Sequence, residues 1–231
     1  MRNIIIATIK EWNIKNYFKL KESLKGKYNF YLITNKDELN LKNIEQINPQ
    51  YIFFPHWSDK VEKEIYTNFE SIIFHESNLP FGRGGSPIQN LIINKHYKTK
   101  ISAIECLEII DSGDIYLQED FDLKEGNAQE IYENISEIVF HKMIPFILKN
   151  KPLKYAQTGE VVSFNRRTKE QSDLKQLQNS SLRDIYDFIR MLDADTYPKA
   201  FCNIQDYKVE LHNVTFKDNK LIGKFTIDEK K

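Results

Sequence analysis

The sequence predicts an α/β fold: a mainly parallel, Rossmann-like sheet with helices on both faces, plus a small C-terminal subdomain with short strands. Through the first two thirds of the 231 residues, apolar β-type runs alternate with segments of helical spacing, the pattern of a parallel sheet covered by helices. Near Pro152 this alternation stops, and a polar arm, one helix and short strand-like pieces follow. We therefore expect a core domain over residues 1–152 and a subdomain over residues 153–231.

Each predicted element depends on the spacing of its apolar residues. Short apolar runs predict strands for a sheet of about five to seven strands, at residues 4–9, 30–33, 51–54, 72–74, 101–104 and 115–118. Apolar residues at helical spacing predict helices, at residues 16–24, 61–69, 87–95, 128–148 and 182–192. Beyond the last helix, strand-like pieces occur at residues 207–211, 214–216 and 221–227.

The balance of charge limits the partners that we expect. Lysine and arginine together number 33, and so do aspartate and glutamate. The chain lacks the broad positive field of proteins that bind nucleic acid through phosphates, so we expect no nucleic-acid partner, although a local basic patch stays open. The apolar run at residues 4–9 is too short to span a membrane and has no cleavage site after it. We expect no membrane association.

Cysteine usage indicates a compartment. Cys106 and Cys202 lie far apart and form no CxxC motif, so they suggest neither a disulfide framework nor a zinc site. No group of side chains has the spacing of metal ligands, and we predict no metal. A reducing cytoplasm is the expected location.

The loop that begins at His75 has the strongest functional pattern. It follows the predicted strand at residues 72–74, and ligands of doubly wound sheets bind beyond the carboxyl ends of strands. The loop runs through Ser77, Arg83 and several glycines to Pro87, which suits the first position of a helix. Glycines allow a ligand to approach the backbone, and a helix N-terminus offers amide groups to an anion. We therefore predict a functional loop over residues 75–87.

Two motifs in this region resemble those of the folate-dependent formyltransferases. The segment from His75 to Gly84 is similar to the HxSLLPxxRG signature of that family. Downstream, residues 99–102 and 109–115 resemble its TG…LDxGxI pattern, whose aspartate is Asp111 here. The motifs have the order and spacing of the family, and the likeness covers residues 50–150.

The resemblance implies transfer of a formyl group from N10-formyltetrahydrofolate to an amine, with His75 and Asp111 as catalytic residues. A protonated His75 would stabilise charge on the formyl oxygen and then protonate the departing folate nitrogen, while Asp111 orients it or accepts the amine proton. Family members generally place an asparagine two residues before the histidine, as an oxyanion donor, whereas this chain has Ile73. Such a donor is worth on the order of 100-fold in turnover. Asn78 or a loop amide is the candidate replacement.

Aromatic residues after the predicted strand at 51–54 suit a pterin pocket, and the resemblance implies that the pterin also meets the backbone before Asp111. The candidate folate-binding residues are Pro55, His56, Trp57, Leu107, Ile109 and Ile110.

Arginines are candidates for phosphate groups, because a guanidinium binds phosphate through two parallel hydrogen bonds. Glycines and a loop serine would allow the acceptor to approach. The candidate acceptor-binding residues are Ser77, Arg83, Gly84, Gly85, Arg166 and Arg167.

A finer likeness concerns the acceptor. Residues 53–58, 79–92, 164–168, 188–194, 197–198 and 200–201 are similar to the short sugar N-formyltransferases that act on nucleotide-linked amino sugars, including the pseudaminic acid type. The tRNA enzymes usually carry a longer C-terminal domain and a basic surface, which the sequence does not indicate. We therefore expect a nucleotide-linked amino sugar as acceptor, with a UDP-linked 4-amino-4,6-dideoxy sugar favoured, in cell-surface polysaccharide biosynthesis. The C-terminal part would also suit a homodimer.

Two alternatives stay open. The same folate chemistry would serve another acceptor, such as methionyl-tRNA or a small metabolite amine. A catalytically silent module that keeps the folate or nucleotide pocket is the other alternative, and Ile73 is the residue that favours it.

Overall fold

The computed structural model describes residues 1–195 and 197–229. Its strands in chain order are β1 (Arg2–Ala7), β2 (Tyr28–Ile33), β3 (Tyr51–Phe54), β4 (Ser71–His75), β5 (Phe81–Gly84), β6 (Lys98–Glu105), β7 (Ile115–Asp122), β8 (Val162–Phe164), β9 (Ala200–Ile204), β10 (Tyr207–Lys217) and β11 (Lys220–Glu229). Its α-helices are α1 (Glu11–Ser23), α2 (Leu41–Ile47), α3 (Lys63–Asn68), α4 (Pro87–Ile93), α5 (Ala128–Ile138), α6 (Ile144–Asn150) and α7 (Leu182–Met191).

Six strands form the central sheet, in the order β2-β1-β3-β4-β6-β7. β1 pairs in parallel with β2 and β3, β3 pairs in parallel with β4, and β4 pairs with β6 antiparallel. The predicted mainly parallel α/β fold is confirmed. The chain runs from β1 to β2 on one side and from β3 to β4 on the other, so the carboxyl ends of these strands meet at one edge, where ligands of such sheets bind.

The described chain divides into two compact units. The first consists of Met1–Arg83, Lys100–Phe121 and Glu133–Ser163, and it holds the central sheet over most of its length. Its core contains fully buried residues of β1, β3 and α3, such as Ile5, Ile52 and Ile65. Burial of each such side chain is worth roughly 1.5–3 kcal/mol, which explains why these strands read as continuous apolar runs.

The second unit consists of Gly84–Thr99, Asp122–Tyr132 and the chain from Phe164 onward. It contains an antiparallel sheet in the order β11-β10-β9, which confirms the predicted short strands of the C-terminal part. α7 begins with a capping box, in which Ser181 and Asp184 each bond the other's backbone N–H. Arg190 of α7 is completely buried.

Several elements differ from the prediction. The strand pieces predicted at 207–211 and 214–216 form one strand, β10, because a bulge between His212 and Thr215 takes up the irregular residues and pairing then resumes. The helix predicted at 128–148 contains a π-helical turn over Val139–Met143. α1 begins at Glu11, before the predicted start. The sequence pattern missed α2, β5, β8 and β9.

The predicted domain boundary at residue 152 stays a prediction. In the part of the chain that the structure describes, no helix is both long enough and apolar enough to cross a membrane.

Candidate active site

His75 is the last residue of β4, at the carboxyl edge of the central sheet, and it pairs with Ser102 of β6. Its Nδ1 lies 3.4 Å from Oδ2 of Asp111, and its Nε2 lies 2.8 Å from the carbonyl oxygen of Gly82. The side chains of His75 and Asp111 are only 7% and 9% exposed. Both ring nitrogens face oxygen acceptors, so a doubly protonated ring satisfies both contacts. The structure thus brings together the two residues that the sequence predicted as catalytic.

Asp111 lies in the loop between β6 and β7, with a φ of +53°. The loop closes tightly at Gly113, where a Cβ atom would lie 1.9 Å from the carbonyl oxygen of Glu105. Only glycine fits this approach, which fixes the path of the loop around Asp111.

The residues before Asp111 in this loop expose apolar side chains. Leu107 is 43% exposed, and Ile109 and Ile110 are each 70% exposed. Adjacent exposed apolar side chains at a loop tip mark a surface that an apolar or aromatic ligand group can cover. Their contact with a pterin stays a prediction.

Gln157 was missed by the sequence interpretation and connects two parts of the site. Its Oε1 accepts hydrogen bonds from Nε and Nη2 of Arg83, at 3.1 and 2.7 Å. Its Nε2 donates to the carbonyl oxygens of Asp111 and Gly113, both at 2.8 Å. Arg83, predicted to bind phosphate, is therefore held beside the Asp111 loop. No sequence signal marks Gln157, because it stands alone in a polar segment.

Ser77 and Asn78 differ in exposure. Ser77 is completely buried, and its Oγ has no hydrogen-bond partner among the described residues. Its carbonyl oxygen accepts from Oγ of Ser102 at 2.8 Å. Asn78 is exposed and lines a cavity of about 360 Å³ together with Gln118 and Tyr155. The catalytic role of Asn78 and the acceptor contact of Ser77 stay predictions.

Pro55, His56 and Trp57 follow β3 at the same edge as His75. The carbonyl oxygen of Pro55 accepts from Thr8 Oγ1 at 2.8 Å. His56 has a φ of +50°, and its Nε2 lies 3.0 Å from Oε1 of Glu76. Trp57 is half-buried and packs against the apolar core. These three residues line the site edge, and their contact with folate stays a prediction.

Gly84, Gly85, Arg166 and Arg167 belong to the second unit. Cβ atoms at the two glycines would lie 2.4 Å from the carbonyl oxygen of Phe164 and 2.6 Å from Cα of Arg166. Close packing of two chain segments therefore accounts for both glycines. The structure places Arg166 directly beside Gly85, while acceptor binding by these four residues stays a prediction.

Burial also raises the pKa of a thiol near the site. Cys106 is 4% exposed, and burial, followed by the charge of Asp111, raises the pKa of its thiol to about 12. The described residues contain no group of three or more His, Cys, Asp or Glu side chains placed to hold a metal ion.

Fold and site together define a class of α/β protein with a buried histidine–aspartate pair at the carboxyl edge of its sheet. Residues 169–228 match the family model of the methionyl-tRNA formyltransferase C-terminal domain. Methionyl-tRNA formyltransferase from Clostridium thermocellum is 48% identical, with a TM-score of 0.95 and coverage of 99% of this chain and 100% of that chain. The chain therefore belongs to the formyltransferase family.

More distant relatives include a protein longer than this chain and one of matching length. Methionyl-tRNA formyltransferase from Mycoplasma capricolum is 30% identical over 155 residues, 65% of this chain and 49% of the relative. The chain thus spans about half the length of the curated relatives that it matches. A sugar N-formyltransferase from Shewanella is 18% identical with a TM-score of 0.70, over 92% of this chain and 97% of that one. At that identity it shares the fold alone.

The comparisons correct two expectations. A nucleotide-linked amino sugar as acceptor is wrong, because the 48% identical relative of matching length is a methionyl-tRNA formyltransferase. The expectation of no nucleic-acid partner is wrong for the same reason. The sequence did not indicate the C-terminal domain of the tRNA enzymes, yet residues 169–228 match that domain. Net charge misled the interpretation because it averages over the whole chain and carries no information on where lysines cluster.

Proposed function

We propose that the chain transfers a formyl group from N10-formyltetrahydrofolate to the amino group of methionyl-tRNA. The observation that carries the proposal is the buried pair of His75 and Asp111, 3.4 Å apart, in a chain that is 48% identical to a methionyl-tRNA formyltransferase over nearly its whole length. General acid–base catalysis needs a histidine with an orienting carboxylate within reach of the reacting atoms. The cytoplasm is the compartment that we propose for this reaction.

His75 has the central chemical role in the proposal. When bound, the folate supplies an activated formyl group on nitrogen. Protonated His75 stabilises the charge that gathers on the formyl oxygen and gives a proton to the departing nitrogen, and the proton that the attacking amine loses restores protonated His75. Asp111 holds the ring in orientation through Nδ1, at 3.4 Å. Nε2 lies 2.8 Å from the Gly82 carbonyl, so the reacting group must take over this contact.

The Asp111 loop fits the apolar ring of a folate. Ile109 and Ile110 are each 70% exposed although both are large and apolar, and a flat heteroaromatic ring laid on them would remove that surface from water. Trp57 lies after β3 at the same sheet edge, where an aromatic side chain can stack on the ring. These residues would hold the donor.

Lysines of the C-terminal sheet support a nucleic-acid acceptor. Lys217 and Lys220 lie directly opposite each other, and Lys224 lies opposite His212. In the described part of the chain none of these three exposed lysines is paired with a carboxylate. Like charges opposite each other destabilise a strand pair, and a phosphate group between them would relieve the repulsion. This cluster is our candidate for the local basic patch that the composition left open.

One experiment tests the proposal. The protein is incubated with N10-formyltetrahydrofolate and methionyl-tRNA, and the amino acid released from the tRNA is analysed by mass spectrometry. We expect N-formylmethionine, and no formylation when free methionine replaces methionyl-tRNA. Formylation of free methionine alone would contradict the tRNA acceptor, whereas no transfer to either would contradict the proposed activity.

A further inference from the structure

His56 follows β3 and His75 ends β4, two neighbouring strands of the central sheet. Phe54 of β3 pairs with Ile73 of β4, and each histidine lies two residues beyond one member of this pair. Each histidine also meets a carboxylate: Asp111 lies 3.4 Å from His75, and Glu76 lies 3.0 Å from His56. The sheet edge therefore carries two histidine–carboxylate pairs, and the proposed reaction uses only the first.

Side chains from the first turn of α1 hold the ring of His56 in position. Its Nδ1 lies 3.1 Å from Nδ2 of Asn13 and 3.4 Å from Nε1 of Trp12. Both neighbours carry N–H groups, so Nδ1 accepts and the ring proton lies on Nε2, which faces Glu76. Asn13 is completely buried and also donates to the carbonyl oxygen of Pro55 at 3.1 Å. The His56 ring, held through Nδ1, thus keeps the Glu76 carboxylate in place through Nε2.

Glu76 is a buried carboxylate without a permanent cation. It is 8% exposed, and neither lysine nor arginine pairs with it within residues 1–195 and 197–229. Burial raises the pKa of Glu76, but the hydrogen bond from His56 and the charges of His56 and His75 outweigh burial, so the pKa lies below its ordinary value. A buried carboxylate whose positive neighbours are histidines loses that compensation whenever the rings are neutral, which is costly. This position therefore favours a cationic group that arrives from outside.

We propose that Glu76 binds the ammonium group of the acceptor before formyl transfer, an inference that rests on the proposed function. The α-amino group of an aminoacyl ester is in equilibrium with its ammonium form near neutral pH, and this form supplies the missing cation. Glu76 directly follows His75 in the chain, so the bound nitrogen is brought to the site of transfer. The bound ammonium gives one proton to Glu76 and attacks as the free amine, and its second proton passes to His75 once His75 has protonated the departing nitrogen. After transfer the nitrogen is an uncharged amide, so the attraction to Glu76 is lost and release of the product is favoured.

A merely structural role for Glu76 gives different expectations. If Glu76 only anchored His56, its isosteric replacement Glu76→Gln would keep the shape and affect both substrates alike. If Glu76 binds the ammonium group, its replacement changes KM for methionyl-tRNA but not for the folate donor, and it weakens binding only of acceptors that carry the positive charge. A split between the two KM values, and between charged and uncharged acceptors, therefore distinguishes the two roles.

The test compares wild type, Glu76→Gln and the control Glu119→Gln. Glu119 is also largely buried, at 16% side-chain exposure, but Lys142 neutralises it. We expect Glu76→Gln to raise KM for methionyl-tRNA about tenfold or more and to leave KM for the folate donor within about twofold. Glu119→Gln should leave both KM values within about twofold. In calorimetry, wild type and Glu119→Gln should bind methioninamide, and Glu76→Gln should not.

A second measurement needs no variant. Wild type should bind methionyl-tRNA about tenfold or more tightly than tRNA esterified with the 2-hydroxy analogue of methionine, which lacks the ammonium group. Equal binding of the two tRNAs, or an unchanged KM for methionyl-tRNA in Glu76→Gln, would overturn the inference while the proposed function stands. If wild type transfers no formyl group, the proposed function is contradicted. Methioninamide binding then still decides the role of Glu76, since it does not depend on turnover.

Discussion

Gln157 links Arg83 to the backbone of the Asp111 loop through one side-chain amide. Its Oε1 accepts from Nε and Nη2 of Arg83 at 3.1 and 2.7 Å, and its Nε2 donates to Asp111 O and Gly113 O, both at 2.8 Å. In the proposed mechanism the carboxylate of Asp111 orients His75, and a misplacement of about 1 Å can cost roughly 100-fold in rate. We therefore propose that Gln157 is a positioning residue that acts through Asp111.

Replacing Gln157 by leucine should lower turnover without removing the catalytic pair. Gln157→Leu removes all four hydrogen bonds, including the two that hold the backbone of the Asp111 loop, so we expect kcat to fall about tenfold. The free energy of unfolding should fall by about 1–3 kcal/mol. Steady-state formylation of methionyl-tRNA and urea denaturation measure the two effects. Gln178→Leu, at an exposed position, is the control, and an equal loss of kcat in both variants would contradict the positioning role.

Substitution of either member of the catalytic pair should have a larger effect. His75→Asn removes the proton donor and Asp111→Asn removes the charge that orients it, so each should lower kcat by about 100-fold or more. Single-turnover formylation with methionyl-tRNA measures the chemical step directly. His141→Asn is the matched control, because His141 also pairs with a carboxylate, Glu137 at 3.2 Å, but is 36% exposed. Unchanged turnover in both active-site variants would contradict the proposed mechanism.

The sequence predicted the parts of the fold that depend on local pattern. Apolar runs such as residues 51–54 coincide with β3 because both faces of that strand are buried. The pattern failed for β9 at Ala200–Ile204, which alternates Phe201 and Asn203 with small or apolar residues and is defined by its pairing with β10. Long-range pairing of this kind leaves little trace in a short segment.

The candidate site was predictable only where residues form motifs. His75 and Asp111 belong to two signatures and meet in the structure at 3.4 Å. Gln157 belongs to no motif and Glu76 stands at the variable position of one, because their proposed roles depend on contacts that the fold creates between distant segments. The acceptor was predicted wrongly, because neither charge balance nor local motifs revealed that residues 169–228 match the methionyl-tRNA formyltransferase C-terminal domain.

Arg190 of α7 lies in a buried network of hydrogen bonds and an ion pair. Its side chain is completely buried, its Nε donates to Oδ1 of Asp187 at 2.6 Å, and its other nitrogens donate to the carbonyl oxygens of Gly126 and Leu123 at 2.8 Å each. Removal of one partner leaves an uncompensated buried charge. We therefore expect Asp187→Leu to destabilise the protein by about 3–5 kcal/mol in urea denaturation.

A double-mutant cycle separates this ion pair from general packing. Asp187→Leu combined with Arg190→Met removes both charges, so the double variant should lose less stability than the sum of the single variants, by roughly 0.5–3 kcal/mol. Exactly additive losses would show that the two side chains do not stabilise each other. Formylation by the folded variants should keep the wild-type KM for the folate donor within about twofold, because the network contacts no predicted donor-binding residue.

The free energy of unfolding should depend on pH in the acid range, because Asp184 belongs to the capping box of α7. The ion pair with Lys95 at 2.8 Å, and then the hydrogen bonds from Ser181, lower the pKa of Asp184 to about 2 from its ordinary 3.8. A carboxyl group with a depressed folded-state pKa stabilises the fold above its unfolded pKa, and this contribution is lost as the pH falls through the folded pKa. In Asp184→Asn the loss relative to wild type should be full near about pH 5 and should shrink towards about pH 2. Urea midpoints at both pH values measure this difference.

Asp218→Asn, in the exposed turn between β10 and β11, is the control. If the difference in stability between wild type and Asp184→Asn stays constant with pH, the ionised carboxylate of Asp184 is not its cause.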